Sequence, residues 1–266
     1  MCGIAGIVNL DRSPVDAALL ARLAESLAHR GPDERQTWID PDRPHLGLAH
    51  ARLAILDRPG GRQPMADPHH AGRRVVFNGE IYNHRQLRQS LLAWRHAFVS
   101  DHSDTEVLLP LYHEYGSEMV DPLRGMFAFA VADGPGRRLL LAVDRLGQKP
   151  LYWLHDGRRF AFASELKALL LLPGVNAKLD LAALDLYLQL GYVPAPLTIY
   201  QGIHKLPPAS RPCRSRNAAP CRAQAFHSGR GSSRSYSMAK VQTCRACSQM
   251  NLSVSYTLPS RSRQVK

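Results

Sequence analysis

The chain has 266 residues, 45% of them hydrophobic, enough to bury one large core or two small ones. No apolar run approaches the roughly 18–20 residues that span a bilayer. Residues 1–9 lack the basic start of a secretory leader, so a cytoplasmic protein without a membrane partner is expected. The net charge of +12 belongs to the end of the chain: residues 211–266 carry nine Arg, two Lys and no acid, which leaves +1 for residues 1–210.

Ile4 to Val8 is a short, β-branched apolar run and predicts a buried strand. Leu19, Leu20, Leu23 and Leu27 recur at helical spacing and predict an amphipathic helix from Asp16 to His29, stopped by Gly31-Pro32. Leu46 to Leu53 predicts a strand with Arg52 at its end, followed by a loop at Gly60-Gly61 and Pro64. Arg74 to Phe77 predicts a strand that stops at Asn78-Gly79, the strongest short signal for a hairpin turn. Asn83 is expected to cap a helix reaching Trp94. Asp104 is expected to cap another to Tyr115, with Leu108, Leu109 and Tyr112 inward.

Short strands are expected over Met126–Ala132, Leu139–Val143, Leu151–Leu154 and Arg159–Ala163, then helices over Glu165–Leu172 and Leu181–Leu190. No βαβ alternation runs throughout. Two antiparallel sheets covered by helices, an α+β fold, fit this order better than a doubly wound parallel sheet.

The Ser/Arg-rich tail has no recognisable nucleic-acid-binding motif, so no nucleic-acid partner is expected. Cys244-x-x-Cys247 lacks a second pair at zinc spacing, so no metal is expected there. Cys2 is alone among the first 210 residues, which suits a reducing compartment.

Cys2 also carries chemistry. With Met1 removed, it holds a thiol and a free α-amine, groups that titrate near ~8.5 and ~7.7–8.0. A nucleophile and a base then sit on one residue. Asn78-Gly79 could direct a side-chain amide and a backbone N–H at one oxyanion. Arg52 could clamp a carboxylate, and Asp104 or Glu80 could hold an ammonium. Each signal alone has a plain structural reading: a buried thiol, a turn, a strand-end charge, a helix cap. Together they describe a pocket for an amino acid with a side-chain amide.

The stretches that carry these residues resemble the glutamine-hydrolysing half of the asparagine synthetases, class II glutamine amidotransferases among the N-terminal-nucleophile hydrolases. They are Met1–Gly6, His29–Asp33, Arg52–Asp57, Gln63–Met65, Asn78–Asn83, Ser103–Glu106, Gly125–Ala128, Asp144–Tyr152 and Ser164–Ala168, in the family's order. The resemblance implies a four-layer α-β-β-α sandwich and a glutaminase domain over residues 2–178. Residues 179–210 would begin the approach to a synthetase domain, and 211–266 would be a basic tail, disordered or out of frame.

It also implies roles. Cys2 is the nucleophile with its α-amine as proton shuttle, and Asn78 and Gly79 form the oxyanion hole. Arg52 binds the glutamine α-carboxylate, while Glu80 and Asp104 bind its amino group. L-glutamine is the substrate, and no cofactor is needed for its hydrolysis. ATP and magnesium are implied only for a synthetase domain, whose Ser-Gly-Gly-x-Asp-Ser loop does not occur here. The ammonia acceptor would be that domain or a separate partner. The resemblance also admits a homodimer, an inactive truncated remnant, or a module of a surface-polysaccharide amidotransferase. Gln36 and Arg58-Pro59 depart from the family's usual residues.

Overall fold

The computed structural model describes residues 1–54, 60–70, 72–134, 136 and 138–208, together with the backbone of one strand at 253–257. The Ile55–Asp57 part of the Arg52 stretch, the departing pair Arg58-Pro59 and nearly all of the basic tail, with its cysteines, lie outside the described residues.

Two antiparallel sheets form the centre. The six-stranded sheet has the order β10-β8-β9-β1-β3-β2, and the five-stranded sheet β11-β7-β6-β5-β4. In the first, β1 (Gly3–Asn9) lies between β3 (Leu46–Arg52) and β9 (Arg159–Ala163). β2 (Glu34–Ile39), β8 (Tyr152–His155) and β10 (Ile203–Lys205) complete it. In the second, β5 (Arg73–Ile81) lies between β4 (Met65–Ala66) and β6 (Gly125–Asp133), followed by β7 (Arg138–Val143) and β11 (Ser253–Thr257).

Period-two alternation sorts each strand's residues between two cores. Ile4, Val8, Leu46, Leu48 and Val76 meet Ala128, Ala130 and Leu141 between the sheets. Ala5, Ile7, Ala49 and Ala51 face the other way, against Leu19, Leu20 and Leu23 of α1 (Ala17–Ser26) and against α4 (Leu166–Leu169). Val75, Phe77, Phe129 and Val131 pack on Leu91 of α2 (His84–Ala93) and on Leu108, Leu111 and Tyr112 of α3 (Leu108–Tyr115). The layers are therefore α-β-β-α, as expected. β1, buried on both faces, has no polar side to alternate with, which is why it reads as a continuous apolar run.

Several local expectations change. The strand predicted to stop at Asn78-Gly79 runs on to Ile81, and the pair lies inside a ladder with β6, Asn78 opposite Ala128 and Gly79 opposite Phe127. Glycine is required there for contact, not for a turn: a Cβ on Gly79 would lie 2.1 Å from the Met126 carbonyl oxygen. α1 is shorter than predicted and is capped by Asp16, whose carboxylate accepts the N–H groups of Ala18 and Leu19. Asn83 stands before α2 without capping it, because its side chain donates to the Pro122 carbonyl and accepts from the Arg124 N–H. Asp104 lies four residues before α3 and caps nothing.

β2 and β10 are not predicted; β2 is half-exposed and polar, and β10 is three residues long. α5 (Leu181–Leu190) spans the predicted residues. Asp180 caps its start and Gly191, at φ 77°, closes it. Its Leu181 and Leu188 are exposed. Among the described residues, no helix is long and apolar enough to cross a membrane.

Replacing Gly79 by alanine should force β5 away from β6. The expected cost is about 1–3 kcal/mol, read as a lower midpoint in denaturant unfolding; an unchanged midpoint would refute the close approach.

Candidate active site

The six residues singled out in sequence, Cys2, Arg52, Asn78, Gly79, Glu80 and Asp104, line one cavity of about 160 Å³. Strand alternation brings four of them there. Along β3 the intersheet face reads Leu46, Leu48, His50, Arg52. Along β5 it reads Val76, Asn78, Glu80. Cys2 precedes Ile4 on the same face of the β1 line. The intersheet core is thus apolar through the middle of these strands and turns polar at one end, where the cavity lies.

Register sets the thiol. Gly3 pairs with Ala51, so Cys2 falls beside Arg52 and Leu53. The Leu53 N–H points at Cys2 Sγ at 3.4 Å, and Sγ lies 3.7 Å from the Leu53 carbonyl. Burial pushes the Cys2 thiol up; the Leu53 N–H, the chain's terminal ammonium and Arg52 pull it back, and Asp104 adds to the rise. A thiol held up in this way stays protonated near neutral pH and needs a base to react.

Asn78 is 1% exposed, and neither its Oδ1 nor its Nδ2 has a hydrogen-bond partner among the described residues. An orphaned buried amide costs about 1–3 kcal/mol. Its surroundings are not loose. The Phe77 N–H donates to Gln63 Oε1 at 2.6 Å, the Phe77 carbonyl contacts His50 Nε2 at 3.2 Å, and the Ile81 N–H donates to Asp104 Oδ2 at 3.0 Å. The backbone is held on both sides while the Asn78 amide is left for something else.

At the other side of the cavity, Arg52 is buried with Nη1 3.5 Å from Glu34 Oε2. A Cβ on Gly31 would lie 2.2 Å from the Ala51 carbonyl, so the Gly31-Pro32 turn presses directly on the backbone before Arg52. Asp33 Oδ2 accepts the Ala54 N–H at 2.7 Å on the far side. Burial raises the Asp104 carboxyl, the Ile81 N–H and His84 lower it, and the Glu80 charge raises it further. A cation arriving beside Asp104 would offset that rise.

Other residues at the site carry no functional signal in their own sequence context. Arg30 Nε donates to the Cys2 carbonyl at 3.0 Å, and its Nη1 pairs with Glu165 Oε1 at 2.9 Å. Asp144 accepts the N–H groups of Phe127, Leu146, Gln148 and Lys149, which fixes the turn carrying Lys149 to the cavity wall. His50 reads as one more residue of a buried strand. Arg30, Asp144 and Gln63 fall inside the motif stretches quoted above, but a sequence does not say which distant backbone group a short polar side chain will meet.

A family model described as a glutamine amidotransferase domain matches residues 1–224. The chain is 41% identical over 212 residues to asparagine synthetase [glutamine-hydrolyzing] 3 of Bacillus subtilis, covering 79% of this chain and 34% of that protein. It is 34% identical over 223 residues to putative asparagine synthetase [glutamine-hydrolyzing] 2 of Methanocaldococcus jannaschii, covering 77% and 42%. It thus spans between a third and a half of the length of these relatives. Among solved structures it is similar to the glutamine phosphoribosylpyrophosphate amidotransferase of B. subtilis. There the TM-score is 0.52 and the identity 20%, with 64% of this chain and 43% of that chain covered. That likeness concerns the fold alone.

His50 is fully buried, and desolvation lowers its pKa to about 3, with Arg52 adding to the fall and the Phe77 carbonyl opposing it. The unfolded chain takes up a proton below pH ~6.5 that the folded chain refuses until about pH 3. Stability should therefore be intact above pH 6.5 and fall by up to about 1.4 kcal/mol per unit as pH drops below it. Unfolding curves of the wild type and His50→Gln between pH 7 and pH 5 should diverge by that slope. Parallel profiles would show that His50 is not held neutral.

Proposed function

Because the chain belongs to the glutamine amidotransferase domain family, we propose that it hydrolyses L-glutamine to glutamate and ammonia through a thioester on Cys2. The observation that carries this reading is the buried, unpartnered amide of Asn78 in the cavity that also holds Cys2. A donor kept free at a cost is what a developing oxyanion requires.

In this mechanism the glutamine α-carboxylate sits on Arg52, and its ammonium between Glu80 and Asp104. The side-chain amide reaches Cys2. The α-amine freed by loss of Met1 accepts the thiol proton as sulfur attacks the amide carbon. The oxygen, now negative, is met by Asn78 Nδ2 and the Gly79 N–H. The amine then gives its proton to the departing nitrogen, and ammonia leaves. Water, deprotonated by the same amine, attacks the thioester carbon; the thiol is restored and glutamate departs.

Met1 lines the cavity, and its Sδ lies 2.9 Å from Lys149 Nζ. Its removal would free the amine and vacate space for substrate in one step. No cofactor is assigned to this half-reaction: nucleophile, base, oxyanion donors and substrate clamps are all side-chain or backbone groups. ATP and magnesium belong to amidation of aspartate in an asparagine synthetase, and we assign the chain as the ammonia-supplying part of such a cytoplasmic enzyme. The names of these relatives are what suggest aspartate as the acceptor, which a synthetase domain would select.

Purified protein should release glutamate from glutamine, with intact mass showing loss of Met1. Cys2→Ala should lower turnover by more than about 10³-fold. Comparable glutamate release from Cys2→Ala would overturn the mechanism.

A further inference from the structure

Gln63 is 5% exposed, lines the same cavity and enters none of the steps above. It lies just before β4, a strand of two residues that pairs with β5 only at Met65↔Val75 and Ala66↔Arg74. Carrying that register back sets Pro64 opposite Val76 and Gln63 opposite Phe77. The partner strand has ended there, and Pro64 has no N–H to offer. The Gln63 side chain takes the place of the missing strand: Oε1 accepts the Phe77 N–H at 2.6 Å. Its Nε2 donates to Thr105 Oγ1 at 3.4 Å.

Thr105 follows Asp104, whose Oδ2 accepts the Ile81 N–H. The loop at 104–105 is therefore tied to β5 at two places, through Gln63 at Phe77 and directly at Ile81. Asn78, Gly79 and Glu80 are slung between those ties. Since these three and Asp104 are the oxyanion and ammonium ends of the site, the Gln63 bridge sets the span between the two ends.

We propose that Gln63 is a positioning residue that holds the oxyanion stretch Asn78–Gly79 at a fixed distance from the ammonium-binding Asp104 loop. The proposal rests on the glutaminase reading above. Losing the bridge leaves each end able to bind but no longer in step with the other. The damage falls on the oxyanion, which exists only during reaction, and so on kcat more than on KM.

The test compares the wild type with Gln63→Met, which keeps length and removes both hydrogen bonds, and with Thr105→Val and Thr105→Ser. Gln63→Met should lower kcat for glutamine at least about tenfold, as a misplacement of a fraction of an ångström does, with KM within about threefold. The Phe77 amide should exchange hydrogen faster, while iodoacetamide should label Cys2 at the wild-type rate. Thr105→Val should move kcat the same way, and Thr105→Ser should restore it. An unchanged kcat and unchanged Phe77 exchange in Gln63→Met would overturn the proposal. If Gln63→Met does not fold, equal kcat in Thr105→Val and Thr105→Ser would overturn it. Absence of glutaminase activity in the wild type, with Phe77 exchange still rising in Gln63→Met, would remove the proposed function and leave the bridge standing.

Discussion

The site depends on one register, that of β1 against β3. β1 is the central strand of its sheet, paired on both edges and buried on both faces. The pairing Gly3↔Ala51 leaves Cys2 beside Arg52, pointing between the sheets. A slip of one residue would turn Ile4 and Val8 out of the intersheet core and move Cys2 to the helix-covered face. The apolar residues that hold β1 thus fix the position of a polar residue that contributes little to holding it. Ser164 and Arg30 finish the work, the first accepting the Ile4 N–H and the second binding the Cys2 carbonyl.

β5 solves the complementary problem. Its middle is core, and its end brings the unpartnered Asn78 amide, Gly79 and the Glu80 carboxylate to the same cavity. The strand is kept extended by β6 on one side. On the other it is kept by side chains standing in for a strand, Gln63 at Phe77 and Asp104 at Ile81. The missing Cβ of Gly79 lets β6 approach closely enough for this ladder to continue past Asn78. The Asn78 amide, left without a partner among the described residues, is a cost the fold carries.

The electrostatics of the cavity follow from burial, with Arg52 beside Glu34 and Asp104 tied to the Ile81 N–H. A neutral His50 sits beneath a buried Arg52, so the positive charge at that point is one guanidinium and not two cations. In the same cavity, burial and the Glu80 charge raise the Asp104 carboxyl. In the proposed reading, the carboxylate of a zwitterionic amino acid would meet Arg52 and its ammonium the acids, with an uncharged amide end left for Cys2.

The sequence by itself determined most of the layering, because period-two and helical apolar patterns are local and the core is built from them. Two antiparallel sheets covered by helices, the span of α5 and the end of β3 at Arg52 were all readable, and the family resemblance supplied the α-β-β-α order. The six cavity residues were readable as chemistry, since a thiol near the start of the chain, an Asn-Gly, an Arg and two acids have few joint uses. Tertiary structure decided the rest. Asn78-Gly79 read as a turn because local propensity favours one, and only the β6 backbone at Met126 and Phe127 holds it extended. Asp104 read as a helix cap because a nearby helix is the local partner; its actual partner is the N–H of Ile81, 23 residues away. Gln63, His50 and Arg30 gave no sign of their roles, because each acts on a backbone group that is remote in the chain and adjacent only once the two sheets have stacked.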